Sequence, residues 1–339
     1  MRHHLRNATR WSYFFALCII VLLLTAWLVQ REAQVRLVLP DNTDSITINV
    51  ATGSTFNGLV NQLIEQDYLE PSGMLRKAWI KSRPDTADIK AGYYAITPDL
   101  TLHTLLKRLQ RGDVVRHNIT LVEGQPLWQW LAQMEKTQNI TLDVSFDPNS
   151  FEYTDTNGVI WQEGYVLPET YQYLHLATAS SILRQAQLKQ AEQLSELLTQ
   201  YTLPTQLTNQ HEWITLASIV EKETGVAAER THIAGVFLHR LSKSMRLQTD
   251  PTVIYGIGPD FNGDITRADL RRATPFNTYV INGLPPSAIA APSQAALLAV
   301  LTPLATNDLY FVAKGNGEHY FSETLQQHNQ AVRQYQLKR

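Results

Sequence analysis

The chain has almost no cysteine and comparatively little charge. Its 339 residues include a single cysteine, Cys18. One cysteine excludes an intrachain disulfide framework and any metal site built from several thiolates. Charged residues make up 18% of the chain, below the roughly one quarter of an ordinary soluble protein. Basic and acidic residues nearly balance, 29 against 31, so no overall positive field favours nucleic acid as a partner.

Sequence signatures of several enzyme classes are also missing. The chain has no Gly-x-Ser-x-Gly elbow, no phosphate-binding P-loop and no dinucleotide fingerprint. The ten histidines are scattered, and their spacing to other histidines and carboxylates does not resemble a metal site. We therefore expect no metal, no cofactor and no serine or cysteine nucleophile.

Residues 11–29 form an uncharged, mostly apolar run, close to the ~20 residues that a helix needs to cross a bilayer. Three arginines lie within residues 1–10, whereas the residues after the run carry no net charge. The positive-inside rule then places residues 1–10 in the cytoplasm and the large C-terminal part outside, on the periplasmic or extracytoplasmic side. The alternative is a cleaved signal peptide, but the run is long for one and lacks a small-x-small cleavage site. Cys18 lies inside the run, which argues against a lipoprotein signal. We expect a single-pass anchor in the inner (cytoplasmic) membrane.

A small α+β module is predicted for residues 46–115, after a polar linker at residues 30–45. The apolar spacing indicates alternating strands and amphipathic helices, and Thr101 is placed to cap the last helix, which ends at Gly112. The predicted elements are a strand at 46–50, a helix opening at 53–54, a helix at 72–81, a strand at 91–96 and a helix from 102.

Residues 116–339 predict a larger domain of mixed helices and strands. The fold class is therefore α+β, with one N-terminal transmembrane helix, a small module and a larger mixed α+β domain. The predicted elements of the larger domain are a strand at 118–123, a Trp-rich helix at 127–134, a polar loop to 158, mostly helix at 174–201, helices at 212–224 and 228–242, a hairpin at 309–321 and a last helix at 325–338.

Two carboxylates end one of these helices, Glu221 and Glu223. The apolar stripe of that helix consists of Trp213, Leu216, Ala217, Val220 and Thr224. At about 100° per residue, the two glutamates fall on opposite flanks of the stripe, roughly 200° apart. At most one of them can therefore serve as an acid in a given site. A carboxyl beside an apolar stripe is partly desolvated, which raises its pKa and suits a general acid. The alternative is two solvated glutamates near a helix end.

Three further segments suggest binding surfaces. In residues 247–252, Asp250 precedes Pro251, which favours either an Asx-turn or the wall of a cleft. Residues 276–293 form an extended path punctuated by prolines, whose amide, hydroxyl and aromatic groups suit sugar rings. Residues 163–171 have the same character. A purely structural loop explains each of these segments as well.

These segments, in this order, resemble the MltG (YceG-like) family of membrane-anchored endolytic murein transglycosylases. The resemblance covers most of the chain and is strongest after residue 214. The matching motifs are residues 217–224, 245–256, 277–279, 283–292 and 310–313 with Gly317, His319 and Phe321. The resemblance implies a LysM-like module at 46–115 and a catalytic domain with a cleft at 116–339.

The resemblance also implies which residues act. The catalytic acid is the second glutamate of the Glu-Lys-Glu-Thr run, Glu223, and Glu223-Thr224-Gly225 is similar to the Glu-Ser-Gly signature of soluble lytic transglycosylases. Candidate substrate-binding residues within the motifs are Gln248, Thr249, Asp250 and Asn277 as hydrogen-bonding groups, and Tyr255 and Tyr279 as stacking groups.

The reaction implied is cleavage of the MurNAc–GlcNAc bond of nascent glycan strands with formation of a 1,6-anhydro end, which limits strand length. The attacking group is the sugar's own C6 hydroxyl, so a single carboxyl suffices. The expected partners are peptidoglycan strands, the membrane and cell-wall synthases, and not nucleic acid. A non-catalytic peptidoglycan-binding scaffold and a lysozyme-type hydrolase remain alternatives.

The chain departs from the family pattern at two places. Leu167 and Glu169 replace a Phe and an Asp, and Glu318 stands where glycine is common. We expect these positions to lie in the lining of the cleft.

Overall fold

The computed structural model describes residues 2–71 and 73–337. The chain divides into two compact units, residues 1–117 and 118–339. Two predicted helix ends, Ser72 and Lys338, lie outside the described residues.

The N-terminal part of the first unit is one long helix. Helix α1 spans Arg2–Arg31 and continues into a 3₁₀ turn at Glu32–Gln34. The stretch Tyr13–Gln34 is long and apolar enough to cross a membrane, and its apolar side chains are exposed, Leu22 by 68% and Leu23 by 66%. Such a run of exposed apolar surface is consistent with a membrane anchor.

In its described residues, the rest of the first unit consists mainly of two strands and three α-helices. The antiparallel strands β1 and β2 pair from Ile46 opposite Ile96 to Val50 opposite Gly92. The side chains of Thr55 and Thr101 each accept a hydrogen bond from a backbone N–H in the first helical turn, which stabilises the helix start. The elements are β1 (Ile46–Val50), α2 (Phe56–Glu65), α3 (Met74–Lys81), β2 (Gly92–Ile96) and α4 (Leu102–Arg111).

The second unit combines seven named helices with several short strands in its described residues. The first half contains β3 (Arg116–Thr120), α5 (Leu127–Lys136), β4 (Ile140–Thr141), β5 (Val144–Asp147), β6 (Glu152–Asp155), β7 (Ile160–Trp161), β8 (Thr170–Leu174), β9 (Ala177–Thr178) and α6 (Ala179–Gln200). The second half contains α7 (Gln210–Glu223), α8 (Arg230–Ser242), α9 (Asp250–Ile257), α10 (Gln294–Leu301), β10 (Tyr310–Ala313), β11 (His319–Ser322) and α11 (Leu325–Tyr335).

The polar stretch before Gly158 is not a loop, as the sequence predicted. Strands β5, β6 and β7 form an antiparallel sheet there. Val144, Tyr153 and Trp161 are buried beneath it, while Asp147 and Asn157 lie at its turns and are exposed. Likewise, the predicted helix at 174–201 begins only at Ala179, because residues 170–178 contribute β8 and β9. Short strands with polar outer faces resemble loops in sequence.

Helix α7 is the central element of the second unit. Eight consecutive residues, 213–220, are buried, so the helix is enclosed on all sides and is not the amphipathic helix that the sequence predicted. Its two internal hydroxyls are satisfied locally. Thr215 donates to the carbonyl of His211, and Ser218 donates to that of Thr215 and accepts from the amide of Ile289. A helix with polar side chains can therefore lie in the core without unpaired groups.

Gly164 brings a neighbouring segment against α7. Its φ is +82°, and a Cβ there would lie 2.6 Å from Cβ of Ala288 and 2.7 Å from Cγ2 of Ile214. Both the backbone conformation and the space therefore require glycine. The segment 163–171, which the sequence analysis treated as a candidate cleft lining, packs in the core at this point.

The residue before it, Glu163, is a buried carboxyl that joins three elements. Both of its oxygens accept from the amide of Leu127, at 3.1 and 3.0 Å, and Oε2 also accepts from the hydroxyls of Tyr153 and Tyr255, at 3.0 and 3.2 Å. Burial raises the pKa of Glu163 to about 7, although these hydrogen bonds lower it. The carboxyl is thus held largely neutral below pH 7.

We predict that Glu163 makes stability depend on pH. Because its pKa is raised in the folded state, its stabilising contribution is complete below its ordinary pKa of 4.5 and is lost as pH rises through about 7. Gln does not titrate, so the stability of Glu163→Gln relative to wild type should increase between about pH 5 and 7, by at most about 1.4 kcal/mol per pH unit. Denaturant unfolding at several pH values measures this. A difference that stays constant with pH would contradict the prediction.

Candidate functional site

An open pocket of about 490 Å³ lies in the second unit, at the C-terminal end of α7. The start of α9 forms one wall, and the β10–β11 hairpin and α11 form the other. The lining residues are Glu223, Arg240, Leu247, Gln248, Thr249, Asp250, Tyr279, Tyr310, Phe311, Val312, Ala313, His319, Leu325, His328, Val332 and Gln336.

Glu223 is the last residue of α7 and lies half-buried in this pocket. The hydroxyl of Thr249 donates a hydrogen bond to its Oε1. Burial raises the pKa of Glu223 from 4.5 to about 7. The Thr249 hydrogen bond lowers this pKa, and the negative charge of Asp250 raises it. A carboxyl at a helix C-terminus also opposes the helix dipole, which further favours the neutral form.

Glu221 points to a different environment, as the helix projection predicted. Its Oε2 accepts from the amide of Ser293 at 3.1 Å and from the Ser293 hydroxyl. Ser293 in turn caps helix α10 by accepting from the amide of Ala296 at 3.2 Å. Glu221 therefore holds the start of α10, a helix that the sequence analysis did not predict.

The segment 247–252 enters the pocket as the start of a helix. Asp250 is the first residue of α9, so this segment is not an isolated Asx-turn. Oδ1 of Asp250 accepts a hydrogen bond from the hydroxyl of Tyr279 at 2.7 Å. Burial raises the pKa of Tyr279, and the hydrogen bond to Asp250 raises it further. Gln248 lies beside them with a φ of +51°, exposed at the pocket rim.

Two of the predicted substrate-binding residues do not reach the pocket. Tyr255 is only 3% exposed, and its ring packs 4.6 Å from Trp128 and 4.7 Å from Phe276, centroid to centroid. Since both faces of the ring are surrounded by aromatic neighbours and its hydroxyl binds Glu163, Tyr255 has no free face for a sugar. The sequence prediction of stacking there is corrected to a core role.

Asn277 is also buried, at 1% exposure. Its Nδ2 donates to the carbonyls of Asp269, Leu270 and Arg272, and its Oδ1 accepts from the amide of Tyr279 at 2.9 Å. Asn277 therefore contributes to the pocket only indirectly, by holding Tyr279 in position. An amide fully engaged with backbone groups has no capacity left for a ligand.

Arg240 is a pocket residue that the sequence analysis missed. It lies in α8, is 7% exposed, and donates to the carbonyls of Leu309 at 2.5 Å, Arg246 at 3.2 Å and Leu247 at 2.7 Å. Burial lowers the pKa of its guanidinium. The sequence of α8 also contains Arg230, His232 and His239, so no local pattern marked Arg240 as a buried pocket residue.

Two histidines also line the pocket, and only one was singled out from the sequence. His319 pairs with Glu229, with Nδ1 2.8 Å from Oε2. The ring of His328 stacks on Tyr310 at 5.3 Å, and its buried Nδ1 has no hydrogen-bond partner among the described residues. Burial lowers the pKa of His328.

The positions that depart from the family pattern lie outside this lining. Glu169 is exposed and pairs with Lys189 at 2.5 Å, and Glu318 pairs with Lys314 at 3.0 Å in the hairpin turn. The amide of Leu167 donates to the carbonyl of Ala186. Among the described residues, no group of three or more His, Cys, Asp or Glu side chains is placed to hold a metal ion.

The comparisons with known proteins agree on one family. A model of the YceG-like family matches residues 48–334. A Bacillus subtilis protein named endolytic murein transglycosylase is 31% identical over 313 residues, which is 87% of this chain and 86% of that protein. A Streptococcus pneumoniae protein of the same name is 26% identical over 86% of this chain, which spans only 58% of its length.

The crystal structure of a YceG-like protein from Listeria monocytogenes is 28% identical and aligns over 85% of this chain and 99% of its own, with a TM-score of 0.49. The match of the family model to most of the chain and the identity to the Bacillus protein are sufficient to assign the family. The chain belongs to the YceG-like family.

Proposed function

We propose that this chain is an endolytic murein transglycosylase, which cleaves the MurNAc–GlcNAc bond of peptidoglycan and leaves a 1,6-anhydroMurNAc end. The observation that carries the proposal is Glu223, a carboxyl with a pKa of about 7 that lines an open pocket. The names of the Bacillus and pneumococcal relatives support the same activity.

Glu223 is the proposed acid and base of this reaction. In its neutral form it donates its proton to the glycosidic oxygen, and the GlcNAc leaves with that proton. The resulting carboxylate then takes the proton of the MurNAc C6 hydroxyl while that oxygen bonds to C1 and closes the anhydro ring. The proton returns to Glu223, so the cycle is balanced without water. A pKa near neutrality suits a group that must both give and take a proton.

The other pocket residues have supporting roles in this proposal. Thr249 orients the Glu223 carboxyl through its hydrogen bond. Asp250 and Tyr279, bonded to each other, offer a charge and a hydroxyl to the sugar, and the negative charge of Asp250 suits the positive charge that develops at C1. Gln248 is exposed at the rim and is proposed to bind sugar hydroxyls. Tyr255 and Asn277 are assigned no sugar contact.

The first unit, which includes α1, is proposed to hold the enzyme at the membrane. The resemblance supports a LysM-like module at residues 46–115 and a catalytic domain at 116–339. We propose that α1 is retained as an inner-membrane anchor, with residues 1–10 in the cytoplasm. The pocket then works near the periplasmic face of the membrane, where strands are synthesised, and cleavage there limits strand length beside the cell-wall synthases.

A non-catalytic scaffold explains the pocket less well. Enclosing a carboxyl costs free energy unless it is paired or neutral, and a protein that only binds glycan has no need for that cost at Glu223. A lysozyme-type hydrolase would use the same acid, but its product ends in a reducing sugar.

We predict that Glu223→Gln abolishes formation of anhydro ends, because glutamine cannot donate the proton. General acid catalysis contributes about 10²- to 10⁴-fold, so the rate should fall at least about 100-fold. Digestion of purified peptidoglycan and mass spectrometry of the fragments measure it.

The matched control is Glu221→Gln, two residues away on the same helix. Because Glu221 bonds Ser293 and not a pocket group, this variant should lose stability, by about 1 kcal/mol for a weakened helix start, and keep the reaction. Anhydro ends made by Glu223→Gln but not by Glu221→Gln would reverse the assignment. Reducing ends from the wild type would favour the hydrolase.

We also predict that kcat/KM falls as pH rises through about 7. The free enzyme must carry a protonated Glu223 to start the reaction, and its pKa is raised to about 7, so the active fraction is lost above that pH. Initial rates of anhydro-end formation between pH 5 and 9 give the midpoint. A basic limb that is flat up to pH 9 would rule out Glu223 as the proton donor.

The membrane anchor is predicted to matter in cells more than in solution. A form lacking residues 1–29 should still digest purified strands, because the pocket residues all lie after residue 222. It should fail to shorten new strands in cells, since it is no longer held at the membrane. Strand lengths measured by chromatography of glycans from both cell types test this. Full strand shortening by the shorter form would remove the anchor from the proposal.

A further inference from the structure

Thr249 stands at the start of helix α9 but does not cap it. Thr249 is the N-cap residue of α9, and its side chain makes no capping hydrogen bond. A threonine at this position ordinarily accepts from a backbone N–H of the first helical turn. The N-cap threonines of α2, α4, α6 and α11 all do so. The Thr249 hydroxyl instead donates to Oε1 of Glu223, so its direction serves the carboxyl and not the helix.

Two consecutive backbone amides before α9 are bound by a single residue, Thr278. The amide of Thr249 donates to Oγ1 of Thr278 at 3.0 Å, and the amide of Gln248 donates to the carbonyl of Thr278 at 3.2 Å. Gln248 has a φ of +51°, a left-handed conformation that is unfavourable for a residue other than glycine and persists only where the surroundings hold it. Thr278 therefore supports a strained corner at residues 248–249.

A third threonine hydroxyl completes this support. Oγ1 of Thr252 donates to the carbonyl of Thr249 at 2.7 Å and lies 2.8 Å from Oγ1 of Thr278. The exposed fraction is 0% for Thr252 and Thr278 and 3% for Thr249. Both backbone polar groups of Thr249 are thus bonded to buried hydroxyls, where losing a partner is costly. The backbone of Thr249 is fixed from both sides, and its own hydroxyl extends to Glu223.

Thr278 itself lies behind the pocket. It is the middle residue of the segment 277–279, and the sequence pointed to its neighbours Asn277 and Tyr279 but not to Thr278. Thr249 and Tyr279 line the pocket of Glu223, whereas Thr278 does not. Thr278 therefore does not meet the sugar, and the hydrogen bonds on its hydroxyl lead to the acid through Thr249.

We propose that Thr278 is a positioning residue for the acid: its hydroxyl holds the backbone of Thr249 so that the Thr249 hydroxyl meets Oε1 of Glu223. Since a donor then occupies Oε1, the proton that passes to the glycosidic oxygen is carried on Oε2. The inference rests on the proposed function, because it assigns a support to the proposed acid. It adds no covalent step.

This arrangement has a defined kinetic consequence. Without the Thr278 hydroxyl, the buried amide of Thr249 has no acceptor, and the corner must shift to find one. The Thr249 hydroxyl then no longer holds Glu223, so kcat falls, by up to about 100-fold for a misplaced reacting group. The basic midpoint of kcat/KM moves to higher pH, because a carboxylate that loses a donor binds its proton more tightly. KM should change little, since the lining residues are unchanged.

The test measures anhydro-end formation by the full chain in detergent, on purified glycan strands, from pH 5 to 9. Thr278→Val keeps the shape of the side chain without its hydroxyl, and should lower kcat, keep KM and raise the midpoint. Thr278→Ser keeps the hydroxyl and should stay close to the wild type. A residue that served packing alone would give the reverse order. Thermal unfolding shows which variants fold, and Thr278→Cys, whose thiol is only a weak acceptor, replaces Thr278→Val if that variant does not fold.

A double-mutant cycle shows whether Thr278 acts through Thr249. Thr249→Val removes the hydroxyl that meets Glu223, so by itself it should raise the midpoint. In that background, Thr278→Val should cause no further shift. An equal shift of the midpoint in both backgrounds would overturn the inference, because Thr278 would then act by another route.

A matched control exists on the acid helix itself. Thr215 in α7 is 1% exposed, and its hydroxyl donates to the carbonyl of His211 at 2.8 Å, but it does not line the pocket. Thr215→Val removes the same buried group by the same substitution, so it should lower stability and leave the midpoint unchanged. An equal upward shift in this control would overturn the inference, because the effect would then come from general loosening of the core.

The outcomes separate this inference from the proposed function. If the wild type makes no anhydro ends, the proposed function fails. If the wild type is active and folded Thr278→Val keeps its kcat or its midpoint, the positioning role is overturned while the function stands. The ionisable residues that line the pocket with Glu223 are the same in every variant and do not account for a difference: Arg240, Asp250, Tyr279, Tyr310, His319 and His328.

Discussion

The enclosure of helix α7 is the constraint on which the pocket depends. Because residues 213–220 are buried on every side, the helix cannot rotate or slide, and Glu221 and Glu223 at its end are fixed relative to the surrounding elements. Close packing of this kind transmits small displacements, so the position of Glu223 reflects the fit of α8, α10 and the Gly164 segment around the helix. The carboxyl is held by the core rather than by its own loop.

Opposing effects on the pKa of Glu223 then set the protonation state of that carboxyl. Burial alone would drive Glu223 toward the neutral form, and Asp250 acts in the same direction. The hydrogen bond from Thr249 and the charges of His319 and Arg240 act against it, and the result is a pKa of about 7. Glu163 reaches a similar value because its burial outweighs the hydrogen bonds from Leu127, Tyr153 and Tyr255, but it is sealed in the core. A raised pKa therefore identifies a candidate acid only together with access to a pocket.

Much of the architecture could be predicted from local patterns. Strand β1, the caps at Thr101 and Gly112, helix α5 and the hairpin all follow from apolar spacing and turn residues. The strands β5 to β9 could not, because they are only two to five residues long, too short for a clear alternation of apolar and polar residues. The prediction that α7 is amphipathic was wrong, because the hydroxyls of Thr215 and Ser218 are buried and form hydrogen bonds with backbone groups. The spacing of apolar residues does not reveal such hydrogen bonds.

For the site, the sequence by itself determined that only one of Glu221 and Glu223 can serve a given pocket, since helical geometry separates them by about 200°. Gln248, Thr249, Asp250 and Tyr279, which were predicted as binding residues, line the same pocket as Glu223. Only the tertiary structure decided that Glu221 holds α10 and that Tyr255 and Asn277 are turned inward. It also decided that Arg240 and His319 line the pocket of Glu223, with Glu229 bound to His319. Glu229, Arg240 and His319 lie 6, 17 and 96 positions after Glu223. Their contacts depend on packing between elements, which local periodicity does not encode.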